Sequence, residues 1–423
     1  MAKRFVGIGL TALSVVVFVS FEAAAQVETV KTRPRPELQP LGVRAGSFLF
    51  FPNIEVQEEY DDNIFATKNQ TKDDFITTVK PGLSVESDWN NHSLNFSAGG
   101  DFGFYNNKSG SGPKTSDQDY QDWNVATDGR LDVTRDIALF GGGGVAFLHE
   151  ERGNPDEIGG KDPTKYYLFS AFASYVQNFD NLNFTLTPEF RRHDFDDTQA
   201  FVGPSINQDD RDRNEYSVSL RTGYELTPAY EAFVRFGGNR RKYDETPDDN
   251  GFNRDSWGYD AVVGLTFDLS GVTAGDVFAG YQKQRLNDDS NLDNIDGPTF
   301  GASLNWSATT LTTVGARVVR NIETTTLNGA SGYWATLGEL TVDHELLRNL
   351  LLNFTGTVTQ NDYKGISRED YIYTAGAGAK YMMNRNFYAT LGYRFRTRDS
   401  RNNNGGAANY NENRVRIGLE AQM

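Results

Sequence analysis

Cysteine is absent from this sequence, histidine occurs only four times, and beyond the first two dozen residues no run is apolar for long enough to cross a bilayer as a helix. Without cysteine there is no disulfide staple, no thiol nucleophile and no thiol for lipid attachment. The histidines, His92, His149, His193 and His344, fall on separate segments and never at metal-ligand spacing. No G-x-x-x-x-G-K-[ST] loop occurs, so nothing here binds a nucleotide in that way. Positive charge is in deficit: 41 Lys and Arg stand against 57 Asp and Glu, a net −16 that argues against nucleic acid as a partner. The hydrophobic fraction, 38%, is low for one soluble domain of 423 residues.

What the chain does have is 29 Phe, 20 Tyr and 42 Gly. Aromatics and glycine without long apolar runs suit a barrel in which only every second residue must be apolar. Residues 1–25 read as a secretory signal: Lys3 and Arg4, the apolar Val6 to Phe21, then Ala23 and Ala25 before Gln26. Cleavage near Ala25 removes a net +1 and leaves the remainder near −17. Residues 26–46 carry Pro34, Pro36 and Pro40 and read as a short, extended periplasmic tether. Residues 47–423 form the third unit.

Within that unit, short turns such as Trp89-Asn90-Asn91, Arg135-Asp136, Ser270-Gly271 and Arg348-Asn349 alternate with longer polar links such as Glu151 to Thr164, Asp196 to Asp212 and Ser400 to Ala408. Eight short turns and nine long links make about eighteen strands, with both ends on the short-turn side. The final stretch alternates Val415, Ile417, Leu419, Ala421 with Arg414, Arg416, Gly418, Glu420, and pairing it with the first strand removes both sheet edges. The fold expected is therefore all-β: a transmembrane, antiparallel, up-and-down β-barrel. A propeller also repeats at this length, but its four-stranded blade motif does not recur here.

Apolar and polar faces separate cleanly in several strands. Leu182, Phe184, Leu186 and Phe190 alternate with Asn183, Thr185, Thr187 and Glu189, and Tyr216, Val218, Leu220 and Tyr224 with Ser217, Ser219 and Arg221. A charge facing lipid at mid-membrane costs about 2 to 4 kcal/mol, so the polar sets should face a wet lumen. Trp123, Tyr216, Trp257, Tyr259, Tyr371 and Tyr373 suit the interfacial aromatic girdle. Pro81 and Pro188 lie inside strands and should mark bulges or strand ends. The lipid face of Asp136 to Glu150, with Gly141 to Gly144 at its centre, stays ambiguous.

The candidate lumen-lining residues are Arg394, Arg396 and Arg398 on one strand, Arg414 and Arg416 on the next, Glu55 and Glu59 across the closure, and Arg221 and Arg235 elsewhere on the wall. Two readings stand open: the charges pair across the closure and lock it, or they form a track for an anionic solute, with tyrosines such as Tyr388 offering ring faces to sugars. Acidic links such as Asn287 to Asp296 lack the spacing of a calcium-binding EF-hand loop and read as solvated. No catalytic, cofactor or metal residues are expected.

Three stretches carry a family resemblance: Arg35-Pro36-Glu37, then Leu41-Gly42-Val43-Arg44-Ala45-Gly46-Ser47-Phe48, then Tyr60-Asp61-Asp62-Asn63-Ile64-Phe65-Ala66. Together they resemble the opening of the beta-barrel porin 2 family of outer-membrane barrels. The last residue, Met423, departs from the terminal aromatic common in such barrels, which weakens the usual assembly signal. The resemblance implies a place in the Gram-negative outer membrane, in contact with its lipid. Because several members are tied to exopolysaccharide or capsule export, it also implies passage of polysaccharide with a periplasmic polysaccharide-export protein as partner. No plug-sized domain precedes the barrel, which argues against an energised plugged transporter. The first alternative is a general or small-solute diffusion porin, in which a long loop folds inward to narrow the pore, Asp196 to Asp212 being the best candidate. The second is an outer-membrane hydrolase using His149 or His193.

Overall fold

The computed structural model describes residues 28–107, 114–157, 159–287, 291–402 and 409–423, so the secretory-signal reading of residues 1–25 lies outside the described part. A three-residue strand, β1 (Val43–Ala45), precedes eighteen antiparallel strands of 12 to 16 residues that run from β2 (Phe48–Asp61) to β19 (Tyr410–Gln422). Each pairs with its neighbours in sequence, and β19 pairs with β2 from Arg414↔Asp61 to Gln422↔Asn53, closing the sheet into a barrel. β1 turns back beside the start of β2 at the short-turn end. No helix among the described residues is long and apolar enough to cross a membrane.

Burial is inverted relative to a soluble protein. Asp61 and Asp370 are 0% exposed while Val263 is 64% and Ile417 62% exposed, because the apolar residues face outward to lipid and the charged ones inward. The outward phase follows the expected alternation: Tyr216, Val218 and Tyr224 on β9 (Arg213–Thr227) and Leu391 and Tyr393 on β18 (Phe387–Arg401) are all exposed. At β6 (Ile137–His149) the structure resolves the ambiguity. Trp123, Phe147 and Tyr167 are register partners that cluster as rings, so odd-numbered positions, Leu139 and Gly141 included, face lipid. A β-carbon on Gly142 would sit 2.7 Å from the Thr127 carbonyl oxygen and 2.8 Å from the Phe172 ring, so this part of the wall has no room for a side chain.

The prolines behave differently from expectation. Neither Pro81 nor Pro188 marks a bulge or a strand end. On β3 (Asp74–Ser87) the ladder to β4 (Ser93–Tyr105) skips from Val79↔Phe102 to Gly82↔Gly99, two residues on each strand, so register is kept. On β8 (Leu182–Phe195) the ladder to β7 (Lys165–Phe179) skips in the same way around Pro188, and the Ser174 and Thr187 hydroxyls bond at 2.7 Å across the gap. A missing N–H removes one ladder bond, and equal gaps on both strands cost less than a slip that would turn every later side chain to the wrong face.

Candidate functional site

The lumen is the candidate site, and two segments of this chain enter it. At the outer end the link between β6 and β7, residues 150–164, leaves the wall and crosses the barrel. Its base is closed by the Glu150 N–H donating to the Thr164 carbonyl at 2.8 Å, and by Arg211, which donates to Glu150 at 2.9 Å and lies 4.0 Å over the Phe195 ring. Arg152 stiffens the loop from within, donating to Gln118 Oε1 at 2.7 Å and to the Gly160 carbonyl at 2.6 Å. Gly153 takes φ +82°, and a β-carbon there would lie 2.6 Å from the Tyr410 hydroxyl, so glycine lets the chain turn where the far wall comes close.

On both sides of that turn the loop meets distant parts of the wall. Glu151 lies 3.4 Å from Arg396, 3.8 Å from Arg414 and 4.0 Å from Arg394. Arg398 donates to the Gly153 carbonyl at 3.0 Å, and the Thr325 hydroxyl donates to Asp156. Thr325 follows β14 (Thr312–Glu323), seven strands round from β7 where nine make a half-circle, so the loop spans nearly the full width. The link singled out from sequence, Asp196 to Asp212, does not cross. It packs against the crossing loop instead, with Lys161 N–H donating to the Gln199 carbonyl at 2.6 Å and the Thr164 and Thr198 hydroxyls 3.0 Å apart. Length and polarity were common to both links. What decides is that a single carboxylate, Glu151, finds three guanidinium groups across the lumen.

Burial works to raise the Glu151 carboxyl, but Arg394, Arg414 and Arg396 outweigh it and hold the group well below its ordinary value of 4.5. A depressed carboxyl stabilises the closed loop above its ordinary value and loses that contribution as pH falls through the depressed one. Asp156 shifts the other way, pushed up by burial against the pull of Arg211, so acidification favours its folded environment. The crossing therefore stays closed from neutral pH down through the ordinary carboxylate range. Single-channel conductance recorded from pH 7 to about 5 should be flat, with opening only in stronger acid. A conductance rise between pH 7 and 5 would contradict this.

At the seam between β19 and β2 some of the charges are paired and others are not. Arg414 contacts Glu412 at 2.5 Å, Asp61 at 2.7 Å and Glu59 at 3.3 Å. Arg394 stands directly opposite Arg414 in register, and its Nε and Nη2 have no hydrogen-bond acceptor among the described residues. Arg416 is opposite Glu59 in register, yet it forms no ion pair with any described residue and lies across Gly392, where a β-carbon would meet its Nε at 2.6 Å. Glu55 does not meet Arg414 or Arg416: it is opposite Glu420 and accepts from Gln57 at 2.7 Å and Thr390 at 3.0 Å. Half-way round the wall, Arg221 bonds Glu231 and Asn183 and covers Phe233 at 4.3 Å, while Arg235 lies 3.6 Å from Asp260. Those two form a local network apart from the seam.

The second intrusion is at the inner end. Residues 28–42, instead of running extended, make two turns on the interior face, with the Arg33 N–H donating to the Thr29 carbonyl and that of Gln39 to Arg35, each at 2.9 Å. Arg35 donates to Glu345 at 2.6 Å and Arg33 to the same carboxylate at 3.3 Å, Lys31 lies 3.1 Å from Asp343, and the Val30 N–H donates to Thr313 at 3.0 Å. Tyr388 is 5% exposed, with its hydroxyl on the Leu38 carbonyl and Lys380 4.4 Å over its ring, so its face is not open to a sugar. Between this segment and the wall lies a cavity of about 380 Å³ lined by Lys31, Gln57, Asp343, Asn353, Lys380 and Arg416.

The two histidines weighed for a hydrolase, His149 and His193, lie on different strands. His149 Nδ1 is 2.9 Å from Asp122 and its ring stacks on Tyr120, and His193 is 3.8 Å from Glu215; neither bonds a serine hydroxyl among the described residues. Sequence reasoning missed Glu151, Gly153 and the segment at Arg35; the one available signal was the acidic pair Glu150-Glu151 followed by Arg152 and Gly153 in a long link.

A family model described as Putative beta-barrel porin 2 matches residues 35–423. Among curated proteins none matches the chain. Similar solved structures include OpdK of Pseudomonas aeruginosa, an outer membrane protein, at 12% identity and TM-score 0.45, covering 88% of this chain and 99% of that one. OpdL of Pseudomonas aeruginosa is 12% identical with TM-score 0.44, covering 90% of this chain and 100% of its own. The siderophore receptor PiuA of Acinetobacter baumannii is 10% identical with TM-score 0.48, covering 90% of this chain and 82% of its own. Likenesses this distant say nothing about the solute.

Proposed function

The chain belongs to the beta-barrel porin 2 family, a barrel of the Gram-negative outer membrane, and on that premise we propose that it is a passive channel for small polar solutes, preferring anions. The observation that carries this is the crossing loop: a chain pinned from β7 to beyond β14 by Glu151, Gly153 and Asp156 leaves side openings rather than one wide bore. An eighteen-stranded barrel without such a loop encloses an open aqueous channel. The inner segment, residues 28–42, narrows the path a second time. The anion preference rests on Arg416, a cation without an ionic partner among the described residues; the lysines that line the same cavity, Lys31 and Lys380, are held by Asp343 at 3.1 Å and Glu420 at 2.9 Å.

Export of a polysaccharide with a periplasmic export protein is the other reading that the family resemblance implies. A polymer strand would need the crossing loop to swing aside, breaking its contacts with Arg396, Arg398 and Thr325 together. The test is reconstitution of the purified protein in liposomes and planar bilayers. Small organic acids and monosaccharides should swell the liposomes and oligosaccharides should not. Entry of long oligosaccharides, alone or after adding a periplasmic export protein, would replace this reading with export. Arg416→Glu should shift the reversal potential towards cations while the unfolding midpoint stays at the wild-type value. An unshifted potential would remove Arg416 from the solute path.

A further inference from the structure

The crossing loop rests on arginines whose donors it does not meet. Arg394 and Arg396 occupy alternate positions on one face of β18, and Arg414 stands opposite Arg394 on β19, so three guanidinium groups converge on the lumen side of the seam. Glu151 reaches all three, but loosely, at 3.4 Å from Arg396, 3.8 Å from Arg414 and 4.0 Å from Arg394. A charge-assisted N–H···O bond closes to about 2.7–2.9 Å, and of these contacts only the one from Arg396 is within hydrogen-bonding distance. Arg394 Nε and Nη2 are buried without an acceptor among the described residues, and the other nearby acid, Glu412, lies 3.7 Å from Nη2.

The inner end shows a carboxylate that does satisfy its arginines. Glu345 takes Arg35 at 2.6 Å and Arg33 at 3.3 Å with its side chain 6% exposed, whereas the Glu151 side chain is 35% exposed. Arg35 and Arg385 each leave one buried nitrogen without an acceptor among the described residues, but the Nη2 of Arg35 donates to Glu345 and that of Arg385 to the Pro36 carbonyl. Arg394 leaves two such nitrogens, at the point where two further guanidinium groups meet it. Buried donors are costly to leave unmet, so this corner of the lumen is built for an acceptor with more oxygens than Glu151 supplies.

We propose that Arg394, Arg396 and Arg414 form a binding site for a free tetrahedral oxyanion, sulfate or phosphate, and that Glu151 is its tethered competitor. A carboxylate presents two oxygens in one plane, whereas a tetrahedral anion presents four in different directions and accepts from guanidinium groups approaching from β18 and β19 at once. With Glu151 turned away, Arg394, Arg396, Arg398 and Arg414 face three carboxylates, Glu412, Asp61 and Glu59, all three of them in contact with Arg414. The exchange asks little of the loop. Glu150 is held by Arg211, Arg152 by Gln118 and Gly153 by Arg398, so only the Glu151 side chain has to swing into the lumen.

The test is calorimetric titration of the purified full chain, in zwitterionic detergent micelles, with sodium sulfate and sodium phosphate. Glu151→Gln, which removes the competitor, should bind either ion roughly tenfold more tightly than the wild type, the scale of one charge-assisted contact. Glu55→Gln removes a seam acid that touches none of the three arginines and should leave the affinity at the wild-type value. Equal affinities of Glu151→Gln and wild type, or equal tightening by Glu55→Gln, overturn the competition. Adding Arg394→Gln to Glu151→Gln should weaken binding about tenfold, and an unchanged affinity overturns the site. Two comparisons need only wild-type protein and so hold if the double variant fails to fold. Chloride at the same ionic strength should give no saturable heat, and an equal response to chloride overturns the oxyanion chemistry. Glycerol phosphate should bind more weakly than phosphate, and equal or tighter binding overturns the free ion as the occupant. No transport enters these titrations, so their failure leaves the channel reading, which rests on Arg416, to its own test.

Discussion

Replacing Arg414 by methionine should lower the unfolding free energy of the barrel by about 3–5 kcal/mol, the range for removing one partner of a buried ion pair. The substitution deletes the cation that Glu412, Asp61, Glu59 and Glu151 share, at 2.5, 2.7, 3.3 and 3.8 Å. Asp61 is fully buried and Arg414 itself is 16% exposed at the side chain, so water cannot replace the lost charge. The strands involved are the two that close the barrel, and the repulsion left behind acts across their shared edge. Arg414→Lys should recover only part of the loss, because one ammonium cannot address acceptors in several directions as a planar guanidinium does. Urea unfolding in micelles, or the temperature at which the barrel loses its resistance to detergent, measures the effect. Equal stability of Arg414→Met and Arg416→Met would refute the division of roles between these neighbours.

The second large effect concerns the pore. Replacing residues 151–163 by a short Gly-Ser linker should raise single-channel conductance several-fold and admit larger sugars in liposome swelling, since it removes the chain that reaches from β7 to Arg396, Arg398 and Thr325. The wall should survive, because the Glu150 to Thr164 bond and the Glu150 to Arg211 pair lie outside the deletion. Glu151→Gln should act in the same direction but less, since Arg398 and Thr325 still hold the backbone and tip of the loop. Conductance unchanged by the deletion would mean that the path runs elsewhere and that the crossing loop is a brace for the barrel.

The two substitutions separate what the seam had merged. Arg414 and Arg416 are two residues apart on one face, and their spacing gives no reason to treat them differently. Register does: Gly392 opposite Arg416 leaves it room to lie along the wall, whereas Arg394 opposite Arg414 crowds a second cation against it and draws in Glu412 and Glu151. On the proposed reading, locking and lining, posed as alternatives for the whole stripe, fall to Arg414 and Arg416 respectively.

Strand number, closure and the lipid face were legible in the sequence because a two-residue period is a local property that each strand displays for itself. Val415, Ile417 and Leu419 name their face without help from any other strand. Which loop enters the lumen was not legible, because it depends on Glu151 meeting Arg394, Arg396 and Arg414, residues more than two hundred positions away in the chain. The same holds for Arg35, whose carboxylate partner Glu345 is 310 residues on. By itself the sequence determined a closed barrel of alternating faces, since alternation is written strand by strand. The tertiary structure alone decided what obstructs the barrel and which charges remain unpaired, since each ion pair is set by where two distant segments arrive in space.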